Sequence, residues 1–108
     1  MVVLASERTS SAAEIFIAAL KATGRARIIG GETCGCVLAI RNRHALPDGG
    51  LLDVSEMDYQ TASGHRLEKQ GIKPDRPVIV ERMDLYAGRD RAMEIALTEL
   101  KNLRSRVN

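Results

Sequence analysis

The chain has 108 residues, of which 44% are hydrophobic and 28% charged, with 16 basic side chains against 14 acidic ones. That length allows one domain at most, burying about two-thirds of its unfolded surface, and no segment reaches the apolar length of a membrane span. A net charge of +2 and three aromatics, Phe16, Tyr59 and Tyr86, leave no basic, base-stacking platform and argue against a nucleic-acid partner.

In chain order, residues 2–5 (Val-Val-Leu-Ala) predict a short buried strand. A buried strand starting at residue 2, without a basic leader or cleavage pattern, suggests a fragment that has lost the preceding part of a sheet. The exposed edge of such a strand favours a homodimer through strand pairing or swapping. Residues 11–23 predict a helix, apolar and buried over 15–20, that stops at Gly24. Ahead of it stands a hydroxyl cluster, Thr9-Ser10-Ser11.

A serine at a strand-to-helix turn has its hydroxyl beside free backbone N–H groups and the positive end of the helix dipole. Those are the donors a developing oxyanion needs. Ser11-x-x-Glu14 also fits a capping box, in which the serine caps backbone N–H groups and the glutamate reaches back. One residue can hold both roles, so the local pattern leaves both open.

Residues 25–29 alternate toward a second strand, followed by Gly30-Gly31 and a loop over 31–36. Cys34 and Cys36 are the only cysteines. A lone C-x-C cannot fill a zinc site, and bridging residues two apart is difficult, so they read as small apolar loop residues. Residues 37–46 and 51–59 flank Pro47-Asp48-Gly49-Gly50 and predict a β-hairpin, with Asp48 as a turn residue. Arg41, Arg43 and His44 read as solvent-facing strand positions. Thr61-Ala62-Ser63-Gly64 is another turn, with His65 at the surface. Arg66-Leu67-Glu68-Lys69 has the look of a solvated charged run. A loop over 71–75 leads to a last strand at 78–80, and 90–104 predicts an amphipathic helix whose stripe is Met93, Ala96, Leu97, Leu100 and Leu103. The class is α/β, with mixed strands and two main helices.

Four stretches in this order resemble the C-terminal processing (tail-specific) serine proteases and their tricorn-like branch. They are the segment Thr9 to Ile15; Gly24-Arg25-Ala26 through Gly30 to Thr33 and Gly35; Leu46-Pro47-Asp48-Gly49; and Ser63-Gly64 followed by Gly71-Ile72-Lys73-Pro74-Asp75. The resemblance implies a ClpP/crotonase-like spiral core, of which residues 1–108 are the C-terminal portion, with the upstream part and any PDZ domain absent. It places the nucleophile on Ser11 and one oxyanion donor on the N–H of Ala12. The general-base lysine of Ser-Lys members falls on Cys36, which cannot replace it, and Lys21 lies too far along its helix. Tricorn-like members use a histidine from an upstream segment, supported by a glutamate, and Glu68 matches that carboxylate.

The implied reaction is serine-type peptide hydrolysis on a polypeptide substrate, with no cofactor or metal. The resemblance leaves the location open: processing proteases are mostly extracytoplasmic, the setting it favours, and tricorn-like enzymes are cytosolic. The isolated chain is expected to have no significant activity, since its activating base lies elsewhere. Loss of the lysine also fits a second class of function, a non-catalytic binding or assembly module on the same fold.

Overall fold

The computed structural model describes residues 1–105. Its described elements are β1 (Val2–Ala5), α1 (Ala12–Ala22), β2 (Arg27–Gly30), β3 (Ala39–Ala45), β4 (Leu51–Met57), β5 (Arg76–Pro77), α2 (Arg82–Tyr86) and α3 (Arg91–Ser105). β1, β2 and β5 form a parallel sheet in the order β1-β2-β5, and β3 and β4 form a separate antiparallel pair. The fold is thus mixed α/β, with a third, short helix, α2, that the sequence reading did not contain.

β2 lies at the centre of the parallel sheet. Ile28 and Ile29 are both 0% exposed, so this strand does not alternate between core and solvent. A central parallel strand is covered on both faces and reads as continuous apolar sequence. β1 pairs with β2 in register from Val2↔Arg27 to Ala5↔Gly30 and, among the described residues, has no strand on its other side. As an edge strand it is less buried than expected: Ala5 is buried, while Leu4 is exposed.

α1 buries one stripe, Glu14, Ile17 and Ala18, rather than its whole apolar run. Phe16 points outward at 61% exposure. Ile17 and Ala18 join Ala5, Ile28, Val37, Leu67 and Ile72 in the core, so α1 is sealed against the sheet on one side and two long loops on the other.

The strand expected at 78–80 is displaced. β5 ends at Pro77, after pairing Arg76 with Ile29 and Pro77 with Gly30. Val78 N–H still donates to the Gly30 carbonyl at 2.9 Å, and Ile79 and Val80 then leave the sheet exposed. Proline has no N–H to extend a ladder beyond that point.

Asp90 precedes α3, and its carboxylate caps the Met93 N–H at 2.9 Å. The buried positions of α3 are Ala96, which belongs to the expected stripe, and Glu99, which does not. Glu99 is held inward by ion pairs with Arg27 on β2 at 3.3 Å and Arg76 on β5 at 3.0 Å. Met93, Leu97, Leu100 and Leu103 of the stripe remain exposed. The hairpin likewise exposes every residue of both strands. Its tip follows the sequence: Asp48 accepts the Gly50 N–H at 2.9 Å, as an Asx turn does.

Candidate active site

The turn between β1 and α1 is built by local hydrogen bonds. Thr9 N–H donates to the Ser6 carbonyl at 2.9 Å, and the Thr9 hydroxyl accepts from Ser6 N–H at 3.1 Å. The chain then reaches Ser11, which sits at φ 56°, ψ −129°. Few non-glycine residues adopt that conformation, and holding one there costs about 1–3 kcal/mol. The surrounding bonds must impose it.

They do so through Glu14. This side chain is 0% exposed, yet its carboxylate accepts four hydrogen bonds. Donors are Ser11 N–H at 3.1 Å, the Thr33 hydroxyl at 2.6 Å, Gly35 N–H at 2.8 Å and Cys36 N–H at 2.9 Å. Burial opposes its charge, but the bonds from Thr33, Cys36, Gly35 and Ser11 outweigh burial and hold its carboxyl below the usual value. The Ser11 N–H also reaches the Cys36 carbonyl at 3.0 Å. Ser11 is therefore clamped from the helix and from the 33–36 loop together.

The capping box expected at this helix start is present: Glu14 reaches back to Ser11 N–H, and the Ser11 side chain faces the Glu14 N–H. The Glu14 N–H bonds the Ser11 carbonyl at 2.9 Å, and the Ser11 side chain makes no full cap hydrogen bond among the described residues. Ser11 is exposed, and the adjacent Ala12 N–H has no hydrogen-bond partner among the described residues. A serine hydroxyl beside an open amide at a helix N-terminus can attack a carbonyl and stabilise the resulting oxyanion.

Glu68 is half-buried rather than solvated. One of its carboxylate oxygens accepts Val37 N–H at 2.9 Å and Leu38 N–H at 3.2 Å. These amides follow directly on Cys36, so Ser11 and Glu68 grip neighbouring points of a single segment. Glycines permit the approach. Gly71 has φ +62°, and a Cβ there would lie 2.4 Å from the Thr33 carbonyl oxygen; Gly35 has φ +68°, and its Cβ would meet Gln70 and Gly71 N at 2.9 Å. Lys69 N–H closes the contact on the Gly35 carbonyl at 2.8 Å.

Cys34 and Cys36 are joined by a disulfide, with their Cα atoms 5.2 Å apart. This corrects the expectation of two unlinked loop residues. Gly35 in the left-handed region folds the backbone between them, which brings the two Cα atoms within disulfide range.

The remaining candidates lie elsewhere. His44 is exposed on β3, with Nε2 2.6 Å from Glu56 Oε1, and His65 is exposed after the 61–64 turn. Lys21 pairs with Asp75 at 3.1 Å, at the far end of α1. Asp75 in turn accepts Ile28 N–H at 2.8 Å, which locks the 71–75 loop to β2. That bond, together with Lys21, holds the Asp75 carboxyl below its usual value despite partial burial. No histidine or lysine bonds the Ser11 hydroxyl among the described residues. Sequence reasoning missed Glu14 and Thr33 as the organising pair. The signal for Glu14 was its place in Ser-x-x-Glu; Thr33 offered none.

Ser11 thus sits on a strained turn at a helix N-terminus within a mixed α/β fold. Peptidase family S41 matches residues 1–78. A carboxyl-terminal-processing protease of Picosynechococcus sp. is 41% identical over 78 residues, covering 72% of this chain and 19% of that protein. The tricorn protease superposes with a TM-score of 0.86 at 28% identity, covering 95% of this chain and 10% of the other. The photosystem II D1 C-terminal processing protease gives 0.65 at 36%, covering 71% and 20%. The chain spans less than a fifth of the Picosynechococcus relative. It belongs to peptidase family S41.

Proposed function

We propose that residues 1–108 form the C-terminal portion of a tail-specific serine protease core with a ClpP/crotonase-like spiral fold, and that Ser11 is its nucleophile. The observation that carries this reading is the Ser11 turn: an exposed serine held at φ 56° at a helix start, with the Ala12 N–H open beside it. Ser11 Oγ attacks a peptide carbonyl and gives its proton to a general base. The carbonyl oxygen takes the negative charge and is held by Ala12 N–H. The C–N bond then breaks, the amine leaves with that proton, and water hydrolyses the acyl-enzyme.

The base is a histidine from an upstream segment, as in the tricorn-like branch the sequence resembles. Glu68 supports it by fixing the 37–38 backbone beside the site. Substrates are polypeptide C-termini or unfolded chains, bound as an extended strand along a sheet edge. The many large apolar side chains left exposed on the hairpin, α2 and α3 support the reading of a partial core. The unpaired edge of β1 provides a route to a homodimer; a monomer in size-exclusion chromatography at high concentration would count against it.

The test is peptide cleavage by the full-length protein with and without Ser11→Ala. Activity should disappear in the variant, and unchanged activity would refute the assignment. The 108-residue chain alone should cleave nothing measurable. A non-catalytic binding module is the second reading, favoured by Cys36 at the position of the dyad lysine.

A further inference from the structure

The disulfide lies between the two residues assigned to the site: its backbone bonds Ser11 directly and reaches Lys69, next to Glu68, through the Gly35 carbonyl. On one side Cys34 N–H donates to the Thr9 carbonyl at 2.9 Å, Cys36 N–H to Glu14 at 2.9 Å, and the Cys36 carbonyl accepts Ser11 N–H at 3.0 Å. On the other, the Gly35 carbonyl accepts Lys69 N–H and Glu68 holds the two amides after Cys36. Every residue from 34 to 38 therefore joins the Ser11 turn to the 68–71 loop.

Two observations separate this bond from an ordinary structural staple. It closes a ring across a single residue, Gly35, so it removes little entropy from the unfolded chain and adds little to global stability. Both cysteines are exposed, so a thiolate can reach either sulfur, and exposed disulfides are the labile ones. Breaking the bond acts locally, at the place where Ser11 is clamped.

We propose that Cys34–Cys36 is a redox-active site: its disulfide holds the Ser11 turn in place against the 68–71 loop, and reduction by a dithiol releases it. A thiolate of the reductant attacks one cysteine sulfur to give a mixed disulfide, and the S–S bond of the protein breaks. The reductant's second thiolate then attacks the reductant sulfur of that mixed disulfide, closes the reductant's own disulfide and releases the first-attacked cysteine as a thiolate. Two electrons and two protons pass to Cys34 and Cys36, which become thiols, and the reductant becomes a disulfide. With the ring open, the Cys34–Thr9 and Ser11–Cys36 hydrogen bonds lose their constraint. This inference stands whether or not Ser11 is a nucleophile.

The test is amide hydrogen exchange of the 108-residue chain by NMR, before and after reduction with dithiothreitol, with thiols counted by alkylation. The air-oxidised chain should have no alkylatable thiol. On reduction the Ser11 and Cys34 amides should exchange about tenfold faster, the loss of roughly one hydrogen bond's protection, and reoxidation should restore them. The Ile28 amide, bonded to Asp75 in the sheet, should not change, which separates local release from unfolding. Cys34→Ser, Cys36→Ser and the double variant should each exchange like the reduced form and ignore dithiothreitol. Two free thiols in the air-oxidised chain, or Ser11 and Cys34 exchange unchanged on reduction, would overturn the proposal. Because no cleavage is measured, an inactive Ser11 would leave this result intact.

Discussion

The carboxylate of Glu14 accepts the backbone N–H of Ser11 at 3.1 Å while its other three hydrogen bonds run to Thr33, Gly35 and Cys36. One buried side chain thus holds the serine in a rare conformation and fastens the next loop against it. The strain at Ser11 and the burial of Glu14 have the same cause.

Replacing Glu14 should therefore be costly. Glu14→Gln keeps the shape but turns an N–H₂ group toward backbone donors, leaving buried amides without partners. We expect a loss of about 3 kcal/mol in urea denaturation, larger than for a substitution at exposed Glu7.

The same residue contributes a pH dependence. Its folded carboxyl lies below the ordinary glutamate value of 4.5, so between the two the unfolded chain holds a proton that the folded chain lacks. Its stabilisation is complete above about pH 4.5 and is lost as pH falls through the lower folded value. Urea midpoints measured from pH 6 to pH 2.5 should drop, and Glu14→Gln should flatten part of that drop.

Ser11→Gly should move stability the other way. Glycine accepts φ 56° without a Cβ penalty, and replacing a serine at a helix cap by glycine costs only about a few tenths of a kcal/mol. We expect a gain of about 1 kcal/mol by thermal or urea unfolding. A loss would show that the turn is not strained.

Gly71→Ala would force a Cβ to 2.4 Å from the Thr33 carbonyl oxygen at a positive φ. We expect a cost of about 3 kcal/mol. Gly64→Ala, whose Cβ meets nothing within 4 Å at a similar φ, should cost less, which isolates the steric contribution.

Glu68→Ala should release the Val37 and Leu38 amides and speed their exchange about tenfold. Glu68→Gln keeps an acceptor oxygen and should have a smaller effect. Equal rates in all three proteins would remove Glu68 from its role in holding that segment.

Elements governed by local chemistry were legible in the sequence. α1, its glycine stop and the Pro-Asp-Gly-Gly hairpin follow from periodicity and turn residues. The glutamate half of the Ser11 capping box is also a short-range signal. What escaped depends on partners distant in the chain. β2 is buried because α1 and α3 pack against it while β1 and β5 cover its edges, and Glu99 of α3 is drawn inward by its ion pairs to Arg27 and Arg76. Glu14 and Thr33 meet across 19 residues, and Cys34 meets Cys36 because Gly35 turns the chain between them. Glu68 looked solvated among charged neighbours until the 37–38 amides came to it.

The account's central claim is an activated serine at position 11, and fluorophosphonate labelling of the full-length protein tests it most directly. Mass mapping should find the adduct on Ser11, and Ser11→Ala should abolish it. A folded protein that takes no label, or takes it elsewhere and keeps it in Ser11→Ala, would contradict the account and leave the binding-module reading in its place.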